Sequence, residues 1–159
     1  MTTSLPTTTV RRAGVDDAAT VHAMVLEIAD HEGDGQHVHV DVPRWRELLA
    51  RPDVVVLLAE QDAEAVGYTS ATRQVHLWSG FDLVALDDLY VRASARNRGV
   101  GEQLMRAIAA YAAPESMLVR WELYETNDGA RRFYERIGAT VRPKLNAAWR
   151  PDDYGPWLG

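Results

Sequence analysis

The run Arg96-Asn97-Arg98-Gly99-Val100-Gly101 has the residue types of an anion site, and it lies between a strand-like apolar segment and an amphipathic helical one. Two glycines let the backbone approach a ligand closely and turn its N–H groups outward. The helix that starts there presents its positive N-terminal end to the same spot. Arg96 and Arg98 can add charge-assisted contacts to phosphate oxygens. The bland reading of the same residues is an exposed basic turn that caps a helix. Two familiar phosphate loops are excluded. No Gly-Lys-Ser/Thr follows, as a P-loop needs, and Leu104 stands where a dinucleotide fingerprint places its third glycine.

A second polar concentration is His31, Glu32, Asp34, His37, His39 and Asp41. His37 and His39 could share a strand face, but a metal site needs three or four converging ligands. The chain has no cysteine, which excludes disulfides, thiolate zinc sites and cysteine nucleophiles together.

Regular elements must hold these groups. Residues 1–9 read as a flexible tail and a short strand follows at Val10–Ala13. Asp16 or Asp17 then caps a helix whose Val21, Met24, Val25 and Ile28 make one apolar stripe. His31–Gly35 breaks it, and Pro43 starts a short helix with Trp45, Leu48 and Leu49. From Val54 the period changes to strand. Val54–Glu60, Ala65–His76 and Leu83–Val91 are predicted strands, joined by turns at Gln61–Glu64 and Ser79–Asp82. Gly99–Ala113 is predicted helical with Leu104, Ile108 and Tyr111 on one face, Ser116–Tyr124 a strand, and Asp128–Ile137 a helix. Thr140–Trp149 is read as one or two further strands, and 151–159 as a C-terminal tail. Strands in series, followed by strand–helix–strand–helix, predict an α/β fold: a mixed sheet with helices on both faces, in a single domain over 10–150. Of the five tryptophans most are expected in the core, with Trp78 beside a turn a possible pocket wall.

Composition agrees with one globular domain. The chain has 159 residues, 47% apolar and 25% charged. Its net charge is 17 − 23 = −6, so it gains no counterion-release term on a phosphate backbone and nucleic acid is a poor partner. A small cationic ligand is compatible with that balance. The start lacks a signal peptide's basic and apolar regions, and the longest apolar run, Val54–Ala59, is too short to cross a bilayer, so the expected location is the cytoplasm.

Three blocks together carry a resemblance. Arg96–Gly101 matches the Arg/Gln-x-x-Gly-x-Gly/Ala signature of the GNAT superfamily of N-acetyltransferases. Upstream, Asp87-Asp88-Leu89-Tyr90-Val91 resembles the strand that precedes that signature, closest to the diamine and thialysine acetyltransferases. Downstream, Asn127, Ala130, Phe133, Tyr134 and Gly138 resemble the family's second block. The resemblance implies a splayed sheet, acetyl-CoA as co-substrate, no metal, and a homodimer acting on a small-molecule amine. It also implies that backbone N–H groups of Asn97, Arg98, Gly99, Val100, Gly101 and Glu102 hold the CoA pyrophosphate. Leu89, Tyr90 and Val91 would pair with the pantetheine arm, and Asn127 would contact the cofactor or a water.

Amine attack on a thioester builds an oxyanion and then expels a thiolate. By resemblance, Tyr134 places its hydroxyl near the sulfur, and a phenol protonated at neutral pH can donate to that thiolate. Without the family, Tyr134 reads as core, aligned with Phe133 and Ile137. The attacking ammonium must also lose a proton. Asp87, Asp88, Glu122 and Glu125 are candidate bases, directly or through water. Alternation puts Asp87 and Asp88 on opposite faces of the strand. Asp87 stands where diamine-type enzymes carry the longer Glu, which favours a water relay. Asp88 and Glu32 are assigned to acceptor binding, and the alternative is that one of the two aspartates binds the acceptor cation while the other caps or pairs structurally. The favoured function is acetylation of a primary amine on a small cationic acceptor. Aminoglycoside-like or peptide amine acetylation, and a non-catalytic CoA-binding module, are the alternatives.

Overall fold

The computed structural model describes residues 6–158; Met1 to Leu5 and Gly159, assigned above to the two tails, lie outside them. Five strands form one sheet in the order β1 (Thr8–Arg12), β2 (Val54–Gln61), β3 (Glu64–His76), β4 (Phe81–Val91) and β5 (Leu118–Arg120). The first four are antiparallel in series and β5 is parallel to β4, so the sheet is mixed as expected. Short connections make this order natural. The β2–β3 turn needs only Asp62 and Ala63, both in the left-handed region at φ 51 and 63. The parallel step from β4 to β5 needs a crossover helix, α3 (Val100–Ala112).

Side-chain alternation sorts the core onto two faces. Val56 and Leu58 of β2 and Tyr68 of β3 pack with Val21 and Met24 of α1 (Ala18–Glu32) and Trp45 of α2 (Val42–Leu49). Gly67, next to Tyr68 in β3, faces the other way, towards Leu104 of α3. Leu104 and Ile108 on α3 are fully buried there. Local chemistry sets the helix ends. Asp41 caps α2 by accepting from the Arg44 N–H at 2.9 Å, a contact worth about 1 kcal/mol in helices generally. Gly33 ends α1 at φ +78, a conformation that favours glycine.

The chain divides into two compact units, one ending at Glu122 and the other starting at Leu123. The first contains the whole sheet with α1, α2 and α3. The second contains α4 (Asp128–Arg136), α5 (Pro151–Tyr154) and a 3₁₀ turn at Gly155–Leu158.

Several expectations need correction. The predicted tail to residue 9 is too long, because Thr8 and Thr9 already pair with Gln61 and Glu60, and β-branched threonines suit a strand. The Asp17 carboxylate does not cap α1; it accepts from the Gly14 N–H and pairs with Arg11, both at 2.8 Å. Thr140–Trp149 forms no strand, and Pro143 within it has no N–H for a ladder. Residues 151–158 are helical turns rather than an open tail, with Trp149 in edge-to-face contact with Tyr154 and Trp157. Trp45 is the one buried tryptophan among the described residues, while Trp78 is 97% exposed at the β3–β4 turn. Large aromatics report core membership poorly when they fall at turns and chain ends.

Gly67 marks the tightest point between the sheet and the start of the candidate site. A Cβ there would lie 2.8 Å from the Tyr90 carbonyl oxygen and 3.4 Å from Leu104 Cδ1. Because the nearest obstacle is backbone, Gly67→Ala should destabilise the fold by about 1–3 kcal/mol, read as a lower urea midpoint with an unchanged m value.

Candidate active site

Strand β4 is paired with β3 along its length but with β5 only from Leu83 to Ala85, opposite Leu118 to Arg120. Among the described residues no strand pairs with Leu86 to Val91 on the β5 side, which is the splay expected from the resemblance. The Arg92 N–H donates to the Val66 carbonyl at 2.8 Å, just past the end of β4. Antiparallel ladder bonds recur at every second residue, so the backbone groups of Tyr90 face β3. Those of Leu89 and Val91 face the open side. Of the three residues expected to meet a pantetheine arm, Tyr90 therefore has its backbone committed elsewhere. Its hydroxyl donates to Glu27 Oε2 at 3.2 Å, and Arg92 grips the same carboxylate at 2.7 Å, tying α1 to the end of β4.

The predicted anion loop follows directly. Asn97 at φ 58 and Gly99 at φ 77 are both left-handed, and Gly99 is the N-cap residue of α3. Among the described residues, the N–H groups from Asn97 to Glu102 make no hydrogen bond of ordinary geometry; the first loop-to-helix bond comes from Gln103 N to the Gly99 carbonyl. A row of unsatisfied donors at a helix N-terminus is what a phosphate group requires. The two arginines differ from expectation. Arg96 turns back, donating from Nε to the Val91 carbonyl at 2.8 Å and lying over the Tyr90 ring, whereas Arg98 is exposed and in no ion pair. Arg96 thus braces the loop against β4.

The carboxylates are arranged differently from a simple strand. Ser70 lies opposite Asp88 and Ala71 opposite Leu86, so Asp87 is an inserted residue, a β-bulge. The expected opposite-face placement of Asp87 and Asp88 is corrected by that insertion, which breaks the period of two. Asp88 Oδ2 accepts from the Tyr68 hydroxyl at 2.9 Å and from Ser70 Oγ at 3.1 Å. The buried Thr69 hydroxyl donates to the Asp88 main-chain oxygen at 2.7 Å. Asp87 reaches solvent, yet partial desolvation and, second, the Asp88 charge push its carboxyl above the ordinary range. The Tyr68 hydroxyl is pushed well up by burial and then by the negative charges of Asp88, Glu32 and Asp87. Glu32 at the end of α1 therefore belongs to the same acidic region. No Lys or Arg pairs with Asp87, Asp88 or Glu32 among the described residues. Tyr68 and Ser70 were not singled out in the sequence. Their signal was a run of hydroxyls, Tyr68-Thr69-Ser70, inside an otherwise apolar strand.

In the second unit, Asn127 caps α4, its Oδ1 accepting from the Ala130 N–H at 3.0 Å. Tyr134 is buried beside Phe133, ring centres 5.2 Å apart, and burial raises its hydroxyl, which keeps it protonated. Glu122 and Glu125 are exposed. His37 ends a 3₁₀ turn and His39 lies in a loop, so the strand face that they could have shared does not form. Among the described residues no cluster of three or more His, Cys, Asp or Glu suits a metal ion. No described helix is long and apolar enough to cross a membrane.

Comparison with known proteins agrees with this architecture. The family model described as "Acetyltransferase (GNAT) family" matches residues 22–139. An aminoalkylphosphonate N-acetyltransferase of Salmonella typhimurium is 29% identical over 139 residues, spanning 84% of this chain and 86% of that protein. An N-acetyltransferase of Archaeoglobus fulgidus with no described substrate is 34% identical over 94 residues, 57% of this chain and 62% of its own. Among solved structures, an aminoglycoside acetyltransferase from an uncultured soil metagenomic sample superposes with TM-score 0.79 at 17% identity, over 90% of this chain and 95% of its own. An aminoglycoside N-acetyltransferase in complex with CoA gives 0.76 at 16%, over 94% and 99%. The chain belongs to the GNAT acetyltransferase family and is an acyl-CoA-dependent N-acetyltransferase.

The raised carboxyl of Asp87 has a stability consequence. Between its unfolded and folded pKa values the native state holds more protons than the unfolded one, so stability falls as pH rises through that window. The penalty is absent below the ordinary carboxylate range and fully present at neutral pH. Asp87→Asn should therefore raise the denaturant midpoint at pH 7, and the gain over wild type should vanish near pH 3.

Proposed function

We propose that this enzyme takes acetyl-CoA along the open edge of β4 and at the start of α3, and acetylates a primary amine of a small cationic acceptor. One strand–loop–helix segment carries the reading: an unpaired β4 edge runs directly into a row of unbonded N–H groups at a helix start. Those donors fit a pyrophosphate, with Arg98 beside them, and Leu89 and Val91 fit an extended arm that pairs like an added strand. The thioester supplies the activated acetyl group. Asp87 takes the proton of the incoming ammonium, directly or through a water, so that its nitrogen can form the new C–N bond. As the C–S bond breaks, the Tyr134 hydroxyl donates its proton to the departing sulfur, and the phenolate regains one from the second proton that the nitrogen gives up as the amide forms, directly or through water.

The acceptor side rests on charge. Asp87, Asp88 and Glu32 all act on the Tyr68 hydroxyl, and none has a Lys or Arg partner among the described residues; a cationic amine beside Asp87 and Glu32 would supply the missing charge. This favours a polycation over the anion-bearing amine named for the Salmonella relative. The aminoglycoside acetyltransferases that share the fold are compatible with it, since aminoglycosides carry several amines. The decisive screen is thiol release from acetyl-CoA with polyamines, aminoglycosides, amino acids, aminoalkylphosphonates and N-terminal peptides. A neutral or anionic best acceptor overturns the charge argument.

Three variants separate the parts. Gly99→Val places a β-branched residue at φ +77 and should abolish measurable acetyl-CoA binding by calorimetry in a chain that still folds. Tyr134→Phe keeps the ring against Phe133, and should retain cofactor affinity while lowering turnover by ~10²-fold. Asp87→Asn should reduce turnover more at low pH than at high pH, where free amine is abundant. Unchanged turnover in either of the last two would remove that residue from the chemistry.

A further inference from the structure

A polar network is centred on the β4 bulge. Thr69, Ser70 and Tyr68 are buried, and all three hydroxyls are directed at one residue, Asp88. Two donate to its carboxylate oxygen Oδ2 and the third to its main-chain oxygen. The contacts lie immediately beside the register shift, on its Ser70 side: Asp88 lies opposite Ser70 and Leu86 opposite Ala71, with Asp87 between them. A bulge left to itself loses ladder bonds and can relax by slipping one residue. Slippage here would bring Asp87 into the ladder and turn its side chain away from where it now points.

We propose that Asp88 is a positioning residue rather than an acceptor ligand: clamped by Tyr68, Ser70 and Thr69, it locks the β4 bulge and so presents Asp87 to the open edge of the sheet. The inference deepens the proposed chemistry and rests on Asp87 serving as the base. It assigns a task to Tyr68 and Ser70 and changes the one given to Asp88. The geometry also explains why a carboxylate, and not an amide, stands at 88. A single oxygen accepting two hydroxyl donors is strengthened by full negative charge, and that charge lies next to Asp87. The charged group that acts on Asp87 is Asp88 beside it on β4, while Asp88, Glu32 at the end of α1 and Asp87 all act on the Tyr68 hydroxyl of β3; none of these is cationic.

The test uses Asp88→Asn, Asp88→Ala, Tyr68→Phe and Asp87→Asn in the full chain, with acetyl-CoA and the best amine from the screen. Asp88→Asn keeps an oxygen that can accept from Tyr68 and Ser70 but removes the charge. It should retain most of kcat at high pH, leave the acceptor KM within about twofold, and shift the acid limb of the rate profile to lower pH. Asp88→Ala loses the clamp and should lower kcat by ~10²-fold, the scale expected for a misplaced reacting group, again with little change in KM. If Asp88→Ala does not fold, Tyr68→Phe removes one donor only and should lower kcat in the same direction. A rise in acceptor KM with kcat unchanged would make Asp88 a binding residue and overturn the proposal. So would wild-type kinetics in all three. Carboxyl ¹³C NMR, with the Asp87 signal assigned by its loss in Asp87→Asn, distinguishes the two levels. Should Asp87→Asn retain full activity, the base reading fails; the positioning inference then stands or falls on whether Asp88→Asn moves the Asp87 titration downwards.

Discussion

The feature on which the rest depends is the one-sided pairing of β4. A strand interior normally satisfies its N–H and C=O groups on both sides, because an unpaired buried backbone group costs as much as a lost hydrogen bond. Here β5 pairs with three residues of β4 and then leaves it, so among the described residues the edge from Leu86 to Val91 has no strand partner on that side. That edge is stable because β3 pairs the whole of the other side and α3 packs against the sheet. The same edge runs without interruption into a loop whose donors are also unpaired. Unmet hydrogen-bonding capacity among the described residues is thus concentrated along one line.

Bracing around this line is local and mostly polar. Arg96 returns to the Val91 carbonyl, and Arg92 links Glu27 of α1 to the Ala65 carbonyl at 2.7 Å. Gly67 lets β3, β4 and α3 come together where a side chain would not fit. Each holds in place the junction between the sheet's open edge and the start of α3. Asp87 does the opposite: it is held partly desolvated beside the Asp88 charge, an arrangement that costs stability.

Much of this was readable from residue types. The Arg96–Gly101 turn has the glycines and arginines of an anion loop, and its helix follows with the expected apolar stripe. The amphipathic period of α1 and the unbroken apolar run of β2 place those elements within a residue or two. Short-range signals of this kind survive folding because they express backbone preferences and side-chain periodicity. Ends of elements did less well. The expected strand at Ser116–Tyr124 shrinks to Leu118–Arg120, and no strand forms at Thr140–Trp149, because strands exist only where a partner lies alongside. The exposed tryptophans show the same limit, since hydrophobicity says that burial is favourable but not whether a neighbour is there to provide it.

The sequence by itself determined the class of the protein, the order of its elements as far as α4 and the glycine-bearing turn that opens α3, because each is encoded within a stretch of contiguous residues. Tertiary structure alone decided what Asp87 and Asp88 are. Read along the strand, they are two carboxylates with period-two alternation. Paired against β3, they are an inserted residue and its anchor, because Tyr68 and Ser70, some twenty positions earlier in the chain, supply the hydroxyls that hold one of them. Register is a property of two strands together, and neither strand's sequence states where the other will place its bulge.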